Sequence, residues 1–183
     1  LDIAKSIAGI LTNGGRALEY HAGKQFEKPG IPFIAIPTTA GTGSEASNNA
    51  VLINTQEDFK KSIRGESLIA KYIILDPELT LTCPKSVTAS SGADALVQAI
   101  EAYTSINSHK LSDIYAFKAI SLISRNLYKA YLNPGDYNAR AQMLLGSYFA
   151  GVAFSNVKLG LVHALAHPIG HKYNVSHGAI CGA

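Results

Sequence analysis

Past Asp76-Pro77 the chain stops alternating between strand and helix signals. Residues 84–105, 108–131, 137–155 and 157–169 carry apolar residues at helical spacing, and no convincing strand follows residue 80. Pro84 in TCPKS marks a helix start near the first helical position. Asn133-Pro134-Gly135-Asp136 is a strong turn. Before the change, the two signals interleave. Ile3, Ala4, Ile7, Ala8 and Leu11 form an apolar stripe on a helix over 2–12, which Asn13-Gly14-Gly15 ends. IPFIAI at 31–36 reads as a buried parallel-sheet strand, with further strand pieces near 50–54 and at 72–75. The pattern predicts an α/β part over 1–80 followed by an all-helical part over 81–183. Within the second part, HKLSDIYAFKAISLISRNL is amphipathic, and its apolar residues are most simply core. No internal repeat or low-complexity tract is present.

Four of the six histidines crowd into residues 163–177: His163, His167, His171 and His177. Neutral imidazole is the commonest protein ligand for transition metals, and its unperturbed pKa lies near neutrality. The cluster points to metal binding, proton transfer or both; the plainer alternative is a solvated helix end. His163, His167 and His171 are spaced i, i+4, i+8, along one helical face. Pro168 interrupts them. It lacks an N–H and its ring clashes with the carbonyl of residue 164, so a kink or break is expected. Gly170 and Asn174 read as helix-end and loop residues. His163 then falls on a helix, and His177 lies beyond a turn from which it can fold back. The stretch holds no carboxylate, so a metal needs one from elsewhere.

SSGADALVQAIEAYTS offers one. Asp94 and Gln98 are one helical turn apart, among small and apolar neighbours. A buried carboxylate is costly unless paired or bound to a cation. Asp94 is therefore either an inward-facing ligand or a first-turn acid that follows Ser90 and Ser91 at a helix start.

The strand at 31–36 leads into Thr38, Thr39, Gly41, Thr42, Gly43 and Ser44. Small hydroxyl and glycine residues after a strand let backbone N–H groups approach a phosphate. This is not the GxGxxG fingerprint, and a plain glycine-rich turn reads equally from the residues.

Composition narrows the partners. Hydrophobic residues make up 47% of the chain and the mean hydropathy is +0.11, enough for a globular core. The net charge of +3 comes with scattered basic residues, which argues against nucleic acid as the main partner. No run of about 18 apolar residues occurs, so no transmembrane helix and no membrane partner are expected. Cys83 and Cys181 form no CxxC pair; they suggest a reducing, cytoplasmic setting and packing roles.

Three segments together resemble the iron-containing (group III) alcohol dehydrogenases, whose relatives include glycerol dehydrogenase and lactaldehyde reductase. They are PTTAGTGSEAS at 37–47, DPELTLTCPKSVTASSGADALVQAIEAYTS at 76–105 and GLVHALAHPIGHKYNVSHG at 160–178. The resemblance covers essentially the whole chain. It implies a partial Rossmann-like dinucleotide-binding part followed by a helical metal and substrate part. Asp94, His163 and His177 would be ligands of Fe2+ or Zn2+. His167 would lie beside the nicotinamide and substrate and relay the alcohol proton. Thr38, Thr39, Gly41, Thr42 and Ser44 would contact NAD or NADP. Lys61 would stand near the nucleotide or be a solvated surface lysine. The implied substrate is a small alcohol or aldehyde, and the implied assembly a cytoplasmic homodimer.

Gln98 departs from the pattern, because the family usually places a histidine four residues after the aspartate. A glutamine oxygen is a neutral donor, weaker for iron or zinc than imidazole. That leaves three alternatives: a glycerol-dehydrogenase-like enzyme or another relative on this scaffold, a metal-independent one, and a catalytically inactive fragment. The family's glycine-rich pyrophosphate turn would precede Leu1 and further helices would follow Ala183, so the chain reads as an internal piece of a longer enzyme.

Overall fold

The computed structural model describes residues 1–55, 57, 59–173 and 175–183, with the backbone alone at His167 and His171. Two compact units share them: 1–35 with 44–74, and 36–43 with 75–183.

The first unit begins with helices α1 (Asp2–Asn13) and α2 (Ala17–His21). Strand β1 (Ile34–Ala35) pairs in parallel with β4 (Tyr72–Ile73). Between them β2 (Asn49–Asn54) and β3 (Phe59–Arg64) form an antiparallel pair, in register from Asn49 opposite Arg64 to Asn54 opposite Phe59. Its core is Tyr20, Ala50, Ile63 and Leu68, flanked by Ile10, Phe26 and Leu52.

Two expectations are corrected in this unit, and one strand, β3, was not read from the sequence. The strand expected over 31–36 is only two residues long, and Ile31, Ile34 and Ile36 are exposed. FKKSIR forms β3, which its lysines disguise: Lys61 lies on the same face as buried Ile63, with its ammonium on His21 O, and Lys60 points to the opposite face. The buried face of α1 is not the apolar stripe. Lys5, Ser6, Ala8 and Gly9 are buried, whereas Ile3, Ile7 and Leu11 are exposed. The Lys5 ammonium explains the choice. It donates to Ser44 O (2.6 Å), Ser47 O (2.7 Å) and Ser47 Oγ (3.0 Å). Burial lowers its pKa to about 8, although Asp2 and Glu45 pull it upward. One turn on, Gly9 lets Phe26 and Leu68 close over the helix; a Cβ there would stand 2.8 Å from the Phe26 ring.

The second unit is helical: α3 (Lys85–Tyr103), α4 (Lys110–Leu132), α5 (Tyr137–Val157), α6 (Leu161–Tyr173) and α7 (His177–Cys181). The three long helices pack through alanines. Ala95, Ala99, Ala119, Ala130, Ala139 and Ala150 are buried around Ile123 and Met143. Such small contacts allow close helix approach, and a Cβ on Gly146 would stand 2.7 Å from Ile123. Caps fix the helix starts: Asp136 accepts from Ala139 N (2.9 Å) and His109 accepts from Ser112 N (3.3 Å). Arg140 ties the start of α5 to α3, donating to Thr88 Oγ1 (2.8 Å) and Pro134 O (3.0 Å). Residues 36–43 lie on this bundle, where Gly43 adopts φ +58° against Gly151.

Helix α6 runs on through Pro168 without the break that was one expectation there, and Gly170 lies inside it. Proline removes one intrahelical hydrogen bond, and the bonds on either side carry the helix past it. Gly170 serves close approach instead of termination: a Cβ there would stand 3.1 Å from Val175 O. Asn174, expected in a loop, lies outside the described residues. Among the described residues no single helix is long and apolar enough to cross a membrane.

Candidate metal centre

Helix α3 supplies the floor of the site. Asp94, Gln98 and Glu101 recur at i, i+4 and i+7 on one stripe, and all three are buried. Asp94 sits nine residues into the helix, which excludes a role in capping its start. Buried polar groups need partners, and the following helices bring them.

Glu101 receives the start of α6. Its Oε1 accepts from Val162 N (2.7 Å) and its Oε2 meets His163 Nδ1 at 2.6 Å. That bond places the ring proton on Nδ1 and turns Nε2 toward Asp94 Oδ1, 3.1 Å away. Burial favours the neutral His163 ring, but hydrogen bonds and charge from Asp94 and Glu101 outweigh it and raise the pKa above 6.5.

Helix α7 closes the site. Gly178 lies directly against the Ser90 carbonyl of α3, where any Cβ would collide. This approach brings His177 Nε2 to 3.6 Å from Asp94 Oδ1. One turn along α7, Cys181 Sγ lies 3.7 Å from His177 Nε2 and 3.9 Å from His163 Nε2. Burial, then the Asp94 and Glu101 carboxylates, push the Cys181 thiol up to about 12. One donor atom from each of Asp94, His163, His177 and Cys181 lies within 4.8 Å of every other.

The arrangement fits a cation. Asp94 Oδ1 has two imidazole nitrogens beside it, one already oriented by a carboxylate at its far side. Gln98 Nε2 donates to Asp94 Oδ2 (3.0 Å), while its buried Oε1 has no hydrogen-bond partner among the described residues. An orphaned buried acceptor beside such a donor set is what a metal site leaves when viewed as protein alone.

Asp94, Gln98, His163 and His177 are therefore brought together. His167 lies one turn beyond His163 on α6, with its side chain outside what is described, as is that of His171. Thr38, Thr39, Gly41 and Thr42 lie in the loop on the helical unit, with Thr38 and Thr42 exposed and Gly41 packed on Ser91. Ser44 belongs to the first unit, where its hydroxyl donates to Asp2 and its carbonyl accepts from Lys5. Lys61, on β3, donates from Nζ to His21 O (2.8 Å).

Sequence reasoning passed over Glu101 and Cys181. Glu101 was detectable as the third polar residue on the Asp94 stripe. Cys181 was detectable as His177 plus four, the same spacing that joins His163 to His167.

Residues 1–77 match iron-containing alcohol dehydrogenase, and residues 88–183 match the C-terminal part of the Fe-containing alcohol dehydrogenase family. The chain is 45% identical over 181 residues to long-chain-alcohol dehydrogenase 1 of Geobacillus thermodenitrificans, covering 97% of this chain and 45% of that protein. It is 41% identical over 182 residues to the NAD-dependent methanol dehydrogenase of Bacillus methanolicus, covering 100% and 48%. Its structure is similar to that of sulfoacetaldehyde reductase from Bifidobacterium kashiwanohense in complex with NAD+, with a TM-score of 0.94 and 36% identity over 99% of this chain and 48% of that one. The chain spans about half the length of the relatives it matches.

Proposed function

The chain belongs to the iron-containing alcohol dehydrogenase family, and on that premise we propose that its protein transfers hydride between a small alcohol or aldehyde and NAD or NADP, at a cation held by Asp94, His163 and His177 with Gln98 beside them. The observation that carries this reading is buried Asp94, whose Oδ1 stands 3.1 Å and 3.6 Å from two imidazole nitrogens. The cation is Fe2+ or Zn2+. When bound it supplies a Lewis acid at the alcohol or carbonyl oxygen. The nicotinamide supplies the hydride acceptor or donor.

The protein's own groups do the rest. Glu101 holds a proton on His163 Nδ1, which leaves Nε2 as the ring atom to meet the cation, and Gln98 holds the Asp94 carboxylate through Oδ2. His167, one turn from His163, exchanges the hydroxyl proton with solvent. Thr38, Thr39, Gly41, Thr42, Ser44 and Lys61 bind the dinucleotide. The same family reading makes the protein a cytoplasmic homodimer without nucleic-acid or membrane partners. Gln98 in place of an imidazole supports one competing reading, a metal-independent reductase.

Nicotinamide reduction by the full-length protein, followed by absorbance across a series of alcohols with NAD+ and NADP+, tests the proposal. Turnover that a chelator abolishes and Fe2+ or Zn2+ restores is expected. Turnover indifferent to chelator supports the metal-independent reading, and no turnover with any alcohol contradicts both.

A further inference from the structure

The family's fourth ligand position is altered in this chain. Gln98 stands there, and its amide nitrogen is already committed to Asp94 Oδ2 at 3.0 Å. Its remaining oxygen is a neutral, weak donor for a transition metal. A different side chain from another helix reaches the same cluster. Cys181 is buried, and its sulfur has both histidine Nε2 atoms as neighbours.

The spacings match a tetrahedral shell. With zinc–nitrogen or zinc–oxygen bonds of about 2.05 Å and a zinc–sulfur bond of about 2.3 Å, ligand-to-ligand edges come to about 3.3 Å between nitrogen or oxygen atoms and about 3.6 Å between sulfur and nitrogen. The observed edges are 3.1 Å and 3.6 Å from Asp94 Oδ1 to the two Nε2 atoms, and 3.9 Å and 3.7 Å from Cys181 Sγ to the same nitrogens. These four edges lie within about 0.3 Å of the tetrahedral values, and all four donor atoms lie within 4.8 Å of one another.

Resting on the metal-centre reading above, we propose that Cys181 Sγ is a direct ligand of the cation held by Asp94 Oδ1, His163 Nε2 and His177 Nε2, and that this sulfur makes the centre zinc-selective. On binding, the metal–sulfur bond forms as the S–H bond breaks, and the proton leaves to solvent; no electrons are exchanged. A thiolate among two imidazoles and a carboxylate is a borderline-soft, tetrahedral donor set, which suits zinc better than ferrous iron. Helix α7 makes the geometry possible. Gly178 seats it against α3, and the i, i+4 spacing aims His177 and Cys181 at one point. A shell closed by four protein ligands leaves the substrate oxygen a fifth position, an expansion zinc accepts.

The test loads metal-free protein with Co2+ and records its near-ultraviolet absorption. Wild type and Cys83→Ser should both show thiolate-to-cobalt charge transfer. Cys181→Ser should bind cobalt and lose that band. X-ray absorption on the zinc protein should find one sulfur at about 2.3 Å, absent in Cys181→Ser. Bound cobalt without the band in wild type overturns the ligand assignment and leaves the three-residue centre standing. Failure of wild type to bind cobalt or zinc at all overturns both.

Discussion

Glu101→Gln keeps the size of a side chain that holds two donors, and so isolates its charge. Val162 N donates to Oε1 at 2.7 Å, and His163 Nδ1 lies 2.6 Å from Oε2. The backbone N–H can only donate, so the glutamine must keep its oxygen toward Val162. Its NH2 group then faces His163 Nδ1 and donates to it. The ring proton is forced onto Nε2, the atom that should bind the metal, and Nε2–H donates to Asp94 Oδ1 instead. Losing a carboxylate behind a ligating histidine typically lowers metal affinity 10- to 100-fold, which is about 1.4 to 2.8 kcal/mol. The tautomer conflict puts this variant toward the upper end. Competition against a chromophoric chelator measures the zinc affinity of the two proteins, with circular dichroism as the check that both are folded. A folded variant within twofold of wild-type affinity refutes the reasoning.

Gly178→Ala places a methyl group against the Ser90 carbonyl, with the carbonyl carbon only 2.6 Å away, so α7 must lift from α3. It should lose about 1 to 3 kcal/mol of stability in denaturant titrations and lose metal with it; unchanged stability and metal content contradict the packing argument. Lys5 has a pKa near 8 in the folded chain against 10.5 when unfolded, so the unfolded state binds more protons between those values. Its contribution to stability therefore rises with pH across that window, by about 3 kcal/mol in total. Melting curves of wild type and Lys5→Met should run parallel below pH 8 and diverge above it; curves parallel throughout contradict the assignment.

The helical unit was legible because its signals are long. Apolar spacing persists over several turns, and Pro84 and Asn133–Asp136 mark the boundaries. The first unit was legible in α1 and β2, expected over 2–12 and near 50–54 and found at Asp2–Asn13 and Asn49–Asn54. It was not legible in the short β1, in β3 or in its burial, which runs against composition. A caged lysine on α1 lies inside while three large aliphatic residues lie outside. Two lysines hide β3, whose strand character comes from pairing with β2. At the site, Asp94, His163 and His177 were readable as residue types and spacings. Whether Asp94 faced inward was not, since the side of a helix that is covered depends on which other helices pack against it. Glu101 and Cys181 were missed because their roles depend on three helices meeting, which is a tertiary property.

Metal content per chain tests the central claim most directly. Elemental mass spectrometry on protein purified without chelator, with Asp94→Ala beside it, should find near-stoichiometric zinc or iron in wild type and none in the variant. No metal in wild type, or equal metal in both, would contradict a centre built on Asp94, His163 and His177.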